Sequence, residues 1–103
     1  MIKSELINKI AKQFPNLTHL RVEEAINAIL ENIIDELANI GHVEIRGFGS
    51  FFVKNRKAIM GRNPKTGEAL LIKARHVVRF RTGKELKKRV DDSSSQYPIQ
   101  KLL

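Results

Sequence analysis

Gly61-Arg62-Asn63-Pro64-Lys65-Thr66-Gly67 is the stretch that decides how the second half of this 103-residue chain folds. A glycine at each end lets the backbone reverse, while Pro64 sets φ and withdraws an N–H donor from any strand ladder. Such a run closes a β-ribbon. Arg62, Asn63 and Lys65 flank the proline, so the tip sets a rigid apolar wedge beside positive charge and hydrogen-bond donors. That combination is what entry into a DNA minor groove and opening of a base step require.

Working outward from the tip, the pattern has a period of two. Upstream, Val43 and Ile45 alternate with Glu44 and Arg46 from His42, before a turn at Gly47-Phe48-Gly49; a second strand then runs from Ser50 through Arg56 towards the tip. Downstream, a return strand extends from about Glu68 to Arg81. Eight residues on each side at ~3.3 Å per residue would make an arm of roughly 25 Å, and a two-stranded ribbon of that length is expected to be mobile until something binds it. Thr82-Gly83-Lys84-Glu85 reads as a capping box opening a final helix through Val90, with Leu86 and Val90 facing inward.

The first half is helical. Leu6, Ile7, Ile10, Ala11 and Phe14 fall at helical spacing, and Phe14-Pro15 stops that helix. Thr18 is a good N-cap for a second helix whose apolar face runs from Val22 to Ile40, with Gly41 as the expected C′ residue. That face is wider than one short neighbour can cover, which favours a dimer. Residues 91–103 lack periodicity and read as a flexible tail. One domain of 1–90 is therefore expected, divided into a helical dimerisation base 1–41, a sheet and arm 42–81, and a terminal helix 82–90.

Charge divides along the same line. The formal net charge is +8, but residues 1–45 carry −3 and residues 46–89 carry +12. A basic surface of that density reads first as a polyanion site, since a face kept only for solubility mixes both signs. The chain has no cysteine, which suits a reducing cytoplasm, and no signal peptide or membrane span is expected.

Taken together, Ile45-Arg46-Gly47-Phe48-Gly49-Ser50-Phe51, the Gly61–Gly67 run and Thr82-Gly83-Lys84-Glu85-Leu86 resemble the bacterial HU/integration host factor family over about residues 2–90. Within it, Lys3-Ser4-Glu5-Leu6-Ile7 and Glu44-Ile45-Arg46-Gly47 are most similar to the β-subunit branch. The resemblance implies an α+β fold: two N-terminal helices, a three-stranded antiparallel sheet with a long β-ribbon arm, and a short C-terminal helix, assembled as an intertwined dimer. It also implies a partner, double-stranded DNA, bent sharply by wedging Pro64 between base pairs, in recombination, transcription regulation and replication in the bacterial cytoplasm and nucleoid. Arg62, Asn63 and Lys65 would lie in the minor groove beside the wedge. Arg56, Lys57, Lys73, Arg75 and Arg81 would follow phosphates along the arm and saddle. Lys3, Lys84 and Lys88 would clamp the DNA flanks from helix N-termini. Glu44 and Arg46, two apart on one expected strand, share a face, so Glu44 can orient the Arg46 guanidinium; in the β branch the matching pair reads a short minor-groove element.

The resemblance leaves a heterodimer with an α-type chain as the expected assembly and a homodimer as its competitor. It also leaves an HU-like, sequence-nonspecific compactor as the alternative to site-specific bending. Ile59 and Met60 stand where relatives usually carry an arginine and a small polar residue. An enzyme is not expected: Glu68 and Glu85 are isolated, and His19, His42 and His76 lie in separate elements without metal-ligand spacing. No cofactor, metal or small-molecule substrate is expected. One tyrosine and no tryptophan give no stacking platform for single strands.

Overall fold

Helical spacing in the first half and strand alternation in the second both give the elements that the residues require. The computed structural model describes residues 1–94, 96 and 97. In chain order it contains α1 (Lys3–Gln13), α2 (His19–Ala38), β1 (His42–Ile45), β2 (Gly49–Arg56), β3 (Ile59–Arg62), β4 (Ala69–Ile72), β5 (Arg75–Thr82) and α3 (Lys84–Ser93). The Thr18 hydroxyl accepts from the Arg21 N–H at 3.2 Å, satisfying one of the orphan donors of α2 as expected.

The end of α2 differs from expectation. Ile40, not Gly41, takes the left-handed C′ conformation, at φ 59°. Ile40 N–H donates to Leu37 O at 3.1 Å and Gly41 N–H to Glu36 O at 2.9 Å, the paired bonds of a Schellman motif with Gly41 one place further out. A β-branched residue is strained in that region, so the close junction between α2 and β1 is held against a local cost of about 1–2 kcal/mol.

The terminal helix also differs. Thr82 remains in β5 and Gly83 is the N-cap, with no side-chain cap bond. The helix is held instead by the turn between β1 and β2: Gly83 N–H donates to Phe48 O at 2.8 Å and Leu86 N–H to Gly47 O at 3.2 Å. Backbone carbonyls distant in sequence thus do the work assigned to the capping box. The helix runs to Ser93, three residues past Val90, because the Ser93 and Ser94 hydroxyls donate to Val90 O (2.7 Å) and Asp91 O (2.6 Å) and satisfy its last carbonyls. Of the expected 91–103 tail, Gln96 and Tyr97 continue in a turn whose N–H groups both donate to Ser93 O. Ser95 and residues 98–103 lie outside the described residues.

Three strands form one antiparallel sheet in the order β1-β2-β5, and β3 and β4 form a separate two-stranded ladder. The long arm strands are therefore interrupted at 57–58 and 73–74. Register does not slip there: Arg56 faces Arg75 before the gap and Ile59 faces Ile72 after it, three steps along each strand. Continuing that register sets Lys57 against Ala74 and Ala58 against Lys73, next to the like-charged Arg56–Arg75 pair. No apolar pair stabilises this level and the cations repel, so the ladder opens to water.

Among the described residues, Ile7 and Val22 are the only apolar side chains buried, at 5% and 3% exposure. α1 packs on α2, and α2 on β1 and β2. The accessible surface is 9507 Å²; a compact monomer of this mass exposes about 5,900 Å². The radius of gyration is 19.3 Å, against about 13 Å for a compact chain of this length. Ile29 and Ile34 of α2 stand exposed, as do Phe48, Val78 and Phe80 of the sheet region. Such a surface is stable in water only when a second apolar surface covers it.

Gly49 is the one position in the sheet where a side chain has nowhere to go. It is buried, and an added Cβ would lie 2.5 Å from both Arg81 O and Phe80 Cζ. Gly49→Ala should destabilise the fold by about 2 kcal/mol, the cost of an overpacked methyl, read by thermal denaturation. If the exposed apolar surface is covered by another chain, the melting temperature should rise with protein concentration in a scan from micromolar to hundreds of micromolar; a flat response would show a self-sufficient monomer.

Candidate nucleic-acid interface

Residues opposite one another in an antiparallel pair share a face, so the register sorts the sheet. One face carries Ser50, Phe52, Lys54 and Arg56 of β2 opposite Arg81, Arg79, Val77 and Arg75 of β5, with His42 and Glu44 of β1 alongside. The other carries Val43, Ile45, Phe51, Val53, Asn55, His76, Val78 and Phe80. All five Lys and Arg side chains of the three strands fall on the first face and none on the second. On the second face Phe51 and Phe80 pack as tilted rings, 50° apart in plane and 4.7 Å between centroids, with Phe48 at 5.3 Å from Phe80 and 6.4 Å from Phe51. His76 and Asn55 form a cross-strand hydrogen bond there.

The sheet thus has an apolar aromatic side and a cationic side. No carboxylate other than Glu44 stands among the five cations, so their charge is uncompensated within the face. An assembly of this kind gains most from a polyanion, which releases counterions as it docks.

The ribbon carries the same chemistry to the tip. Asn63 N–H donates to Glu68 O (2.9 Å) and Gly67 N–H to Asn63 O (2.7 Å), closing a loop in which Gly67 sits at φ 71°. The Asn63 side-chain oxygen accepts from Lys65 N–H at 2.9 Å, and the Arg62 guanidinium donates to Gly67 O at 3.2 Å. Pro64 is held exposed at the apex of this bonded turn. Arg62 and Asn63 therefore brace the turn as well as flanking Pro64, and among the described residues Lys65 is the cation of the tip without a side-chain hydrogen bond.

Not every expected site residue joins this surface in the same way. Arg56, Arg75 and Arg81 lie on the cationic face, and Lys57 and Lys73 at the interruption between sheet and arm. Lys3 is the first residue of α1, and Lys84 and Lys88 are the first and fifth of α3. Lys3 and Lys84, each in the first turn of its helix, oppose the helix dipole by about 0.3–1 kcal/mol, a placement that favours an anionic ligand over stability. The expected Glu44–Arg46 couple is not formed. β1 ends at Ile45, so Arg46 lies in the turn and the alternation that would set both on one face stops one residue short. On α2, Arg21 pairs with Glu24 at 3.6 Å and His19 Nδ1 stands 4.0 Å from Glu23 Oε2.

Lys54 and Arg79 belong to the cationic face and were missed from the sequence. The signal was available: each is two residues from a selected one, Arg56 and Arg81, on the same strand. Among the described residues no cluster of three or more His, Asp or Glu is placed to hold a metal ion, and no helix is long and apolar enough to cross a membrane.

Comparison with known proteins agrees with this geometry. The family model described as bacterial DNA-binding protein matches residues 1–91. Integration host factor subunit beta of Halorhodospira halophila is 50% identical over 100 residues, covering 97% of this chain and 98% of the relative. Among solved structures, an Anabaena HU–DNA cocrystal matches with a TM-score of 0.80 and 38% identity, over 87% of this chain and 97% of that one. An HU variant from Thermotoga maritima matches with a TM-score of 0.63 and 31% identity, over 87% and 99% of the two chains. A family model across nearly the whole sequence, a half-identical relative of the same length and a shared fold leave one conclusion: the chain belongs to the bacterial DNA-binding protein family of HU and integration host factor.

Proposed function

We propose that this chain is an architectural DNA-binding protein that works as a dimer, grips the minor groove with its ribbon arms and bends the duplex sharply by inserting Pro64 at a base step. The observation that carries this reading is the segregation of the sheet: five cations on one face, an aromatic cluster on the other, and a proline-tipped ribbon leading away from both. The apolar face and the exposed α2 surface are what a second chain covers; the cationic face is what DNA covers. Unstacking costs a few kcal/mol per step, offset by the basic surface that the bent duplex then reaches.

The similarity to an integration host factor β subunit supports an α-type chain as the partner and site-specific bending as the activity, in recombination, transcription regulation and replication on the bacterial nucleoid. An HU-like role without sequence preference is the second reading, favoured by one observation. β1 ends at Ile45 and Arg46 lies in the following turn, outside the strand alternation that would set it beside Glu44 on one face. No catalytic step is assigned to any residue.

Energy transfer between the ends of a labelled duplex of about 35 base pairs tests bending and binding together. Closure on a duplex with an integration-host-factor-type site and not on a scramble supports site-specific bending; equal closure on both supports the HU-like role. Pro64→Ala should retain binding within about tenfold while losing most of the closure, since it removes the wedge and leaves every charge; unchanged closure would refute the wedge. Arg56→Ala should weaken all duplexes alike and reduce the slope of log K against log salt by about 0.9, one phosphate's worth.

A further inference from the structure

At the centre of the cationic face stands an aromatic ring. Phe52 is half-buried and lies directly opposite Arg79 in the β2–β5 register. The Arg81 guanidinium, one step diagonally away, lies over its ring at 5.5 Å from the centroid. Ser50, opposite Arg81, is too short to compete for that position. Lys54 follows Phe52 by two residues on the same face, and these side chains border an open concavity of about 430 Å³. Solubility does not call for a phenylalanine among cations, and the aromatic cluster of the sheet lies on the opposite face.

The arrangement has a specific chemical consequence. A guanidinium lying over a ring is held by its charge against the π face, so the N–H groups directed away from the ring remain available to donate to a phosphate's oxygens. The contact also removes rotamer freedom that a long exposed arginine otherwise loses on binding. We infer that Phe52 is a positioning residue that holds Arg81 as a preformed clamp, with Arg79 and Lys54 beside it, for one backbone phosphate of duplex DNA at the centre of the saddle. This rests on the DNA-binding reading above and adds to it three residues, Phe52, Lys54 and Arg79, that the sequence did not single out. Because Phe52 carries no charge, it strengthens binding without adding a counterion to the exchange.

The test is a comparison of wild type, Phe52→Leu and Phe52→Tyr on one duplex by fluorescence anisotropy across a salt series, crossed with Arg81→Lys. Phe52→Leu should raise Kd about 2- to 5-fold, the worth of an exposed cation–π contact, with the salt slope unchanged. Phe52→Tyr, which keeps the ring, should stay at wild-type affinity. Arg81→Lys should cost less when combined with Phe52→Leu than in wild type. In the free protein, the Arg81 Nε–H resonance should carry a ring-current shift that Phe52→Leu abolishes and Phe52→Tyr preserves, a readout independent of DNA and interpretable wherever melting shows the variant folded. Phe52→Leu with unchanged affinity and unchanged Arg81 resonance, or independent losses in the cross, would overturn the inference while leaving DNA binding standing. Failure of wild type itself to bind duplex would overturn the reading beneath it.

Discussion

Everything in this molecule depends on the pairing register of β2 with β5. Opposite residues share a face, so a shift of one residue would send every arginine of β5 to the aromatic side and Phe80 into the cationic surface. The register is locked at both ends. At one end Gly49 is buried against Arg81 O and the Phe80 ring, a fit that admits no side chain. At the other, Asn55 bonds His76 across the strands. Between them the tilted Phe51–Phe80 ring contact, 4.7 Å between centroids, gives the apolar face its own preference for this alignment. A single alignment thus determines which surface is aromatic and apolar and which is cationic.

The same alignment explains how the pieces outside the sheet are placed. The turn between β1 and β2 offers the carbonyls of Gly47 and Phe48 to the N-terminus of α3, so the terminal helix is fixed to the sheet by backbone bonds and not by its own cap. Lys84 and Lys88 take their positions from that docking. At the far end, the ribbon inherits the register across its interruption and delivers Pro64 to the apex of a turn closed by its own polar groups.

Much of this was legible in the order of residues. Phe14-Pro15, Thr18, the alternation from Ser50 to Arg56 and the glycine–proline tip are local signals, and the corresponding features formed where the signals stand. What was not legible depends on partners distant in the chain. Nothing local announces that Ile40 will turn left-handed, because the requirement comes from joining α2 to β1. Thr82 has the chemistry of a cap, yet pairing with Gly49 keeps it in β5 and passes the role to the carbonyls of Gly47 and Phe48, far upstream. The break in the arm follows from which residues face each other, and the loss of the Glu44–Arg46 couple follows from where β1 ends. Charge density marked residues 46–89 as basic, but that Lys54, Arg79 and Phe52 share one face with Arg56, Arg75 and Arg81 follows only from laying the two strands side by side.

The interruption of the arm at 57–58 and 73–74 has a mechanical consequence. A continuous ladder resists flexing because each degree of bend strains hydrogen bonds on one edge; where no ladder bonds exist, flexing strains none. Since the register is the same above and below, the segment beyond the joint keeps its identity as it moves: Pro64, Arg62 and Lys65 travel as one rigid head on a compliant neck. Compliance placed there, and not in the tip, lets the direction of the arm vary while the bonded turn around Pro64 keeps its shape.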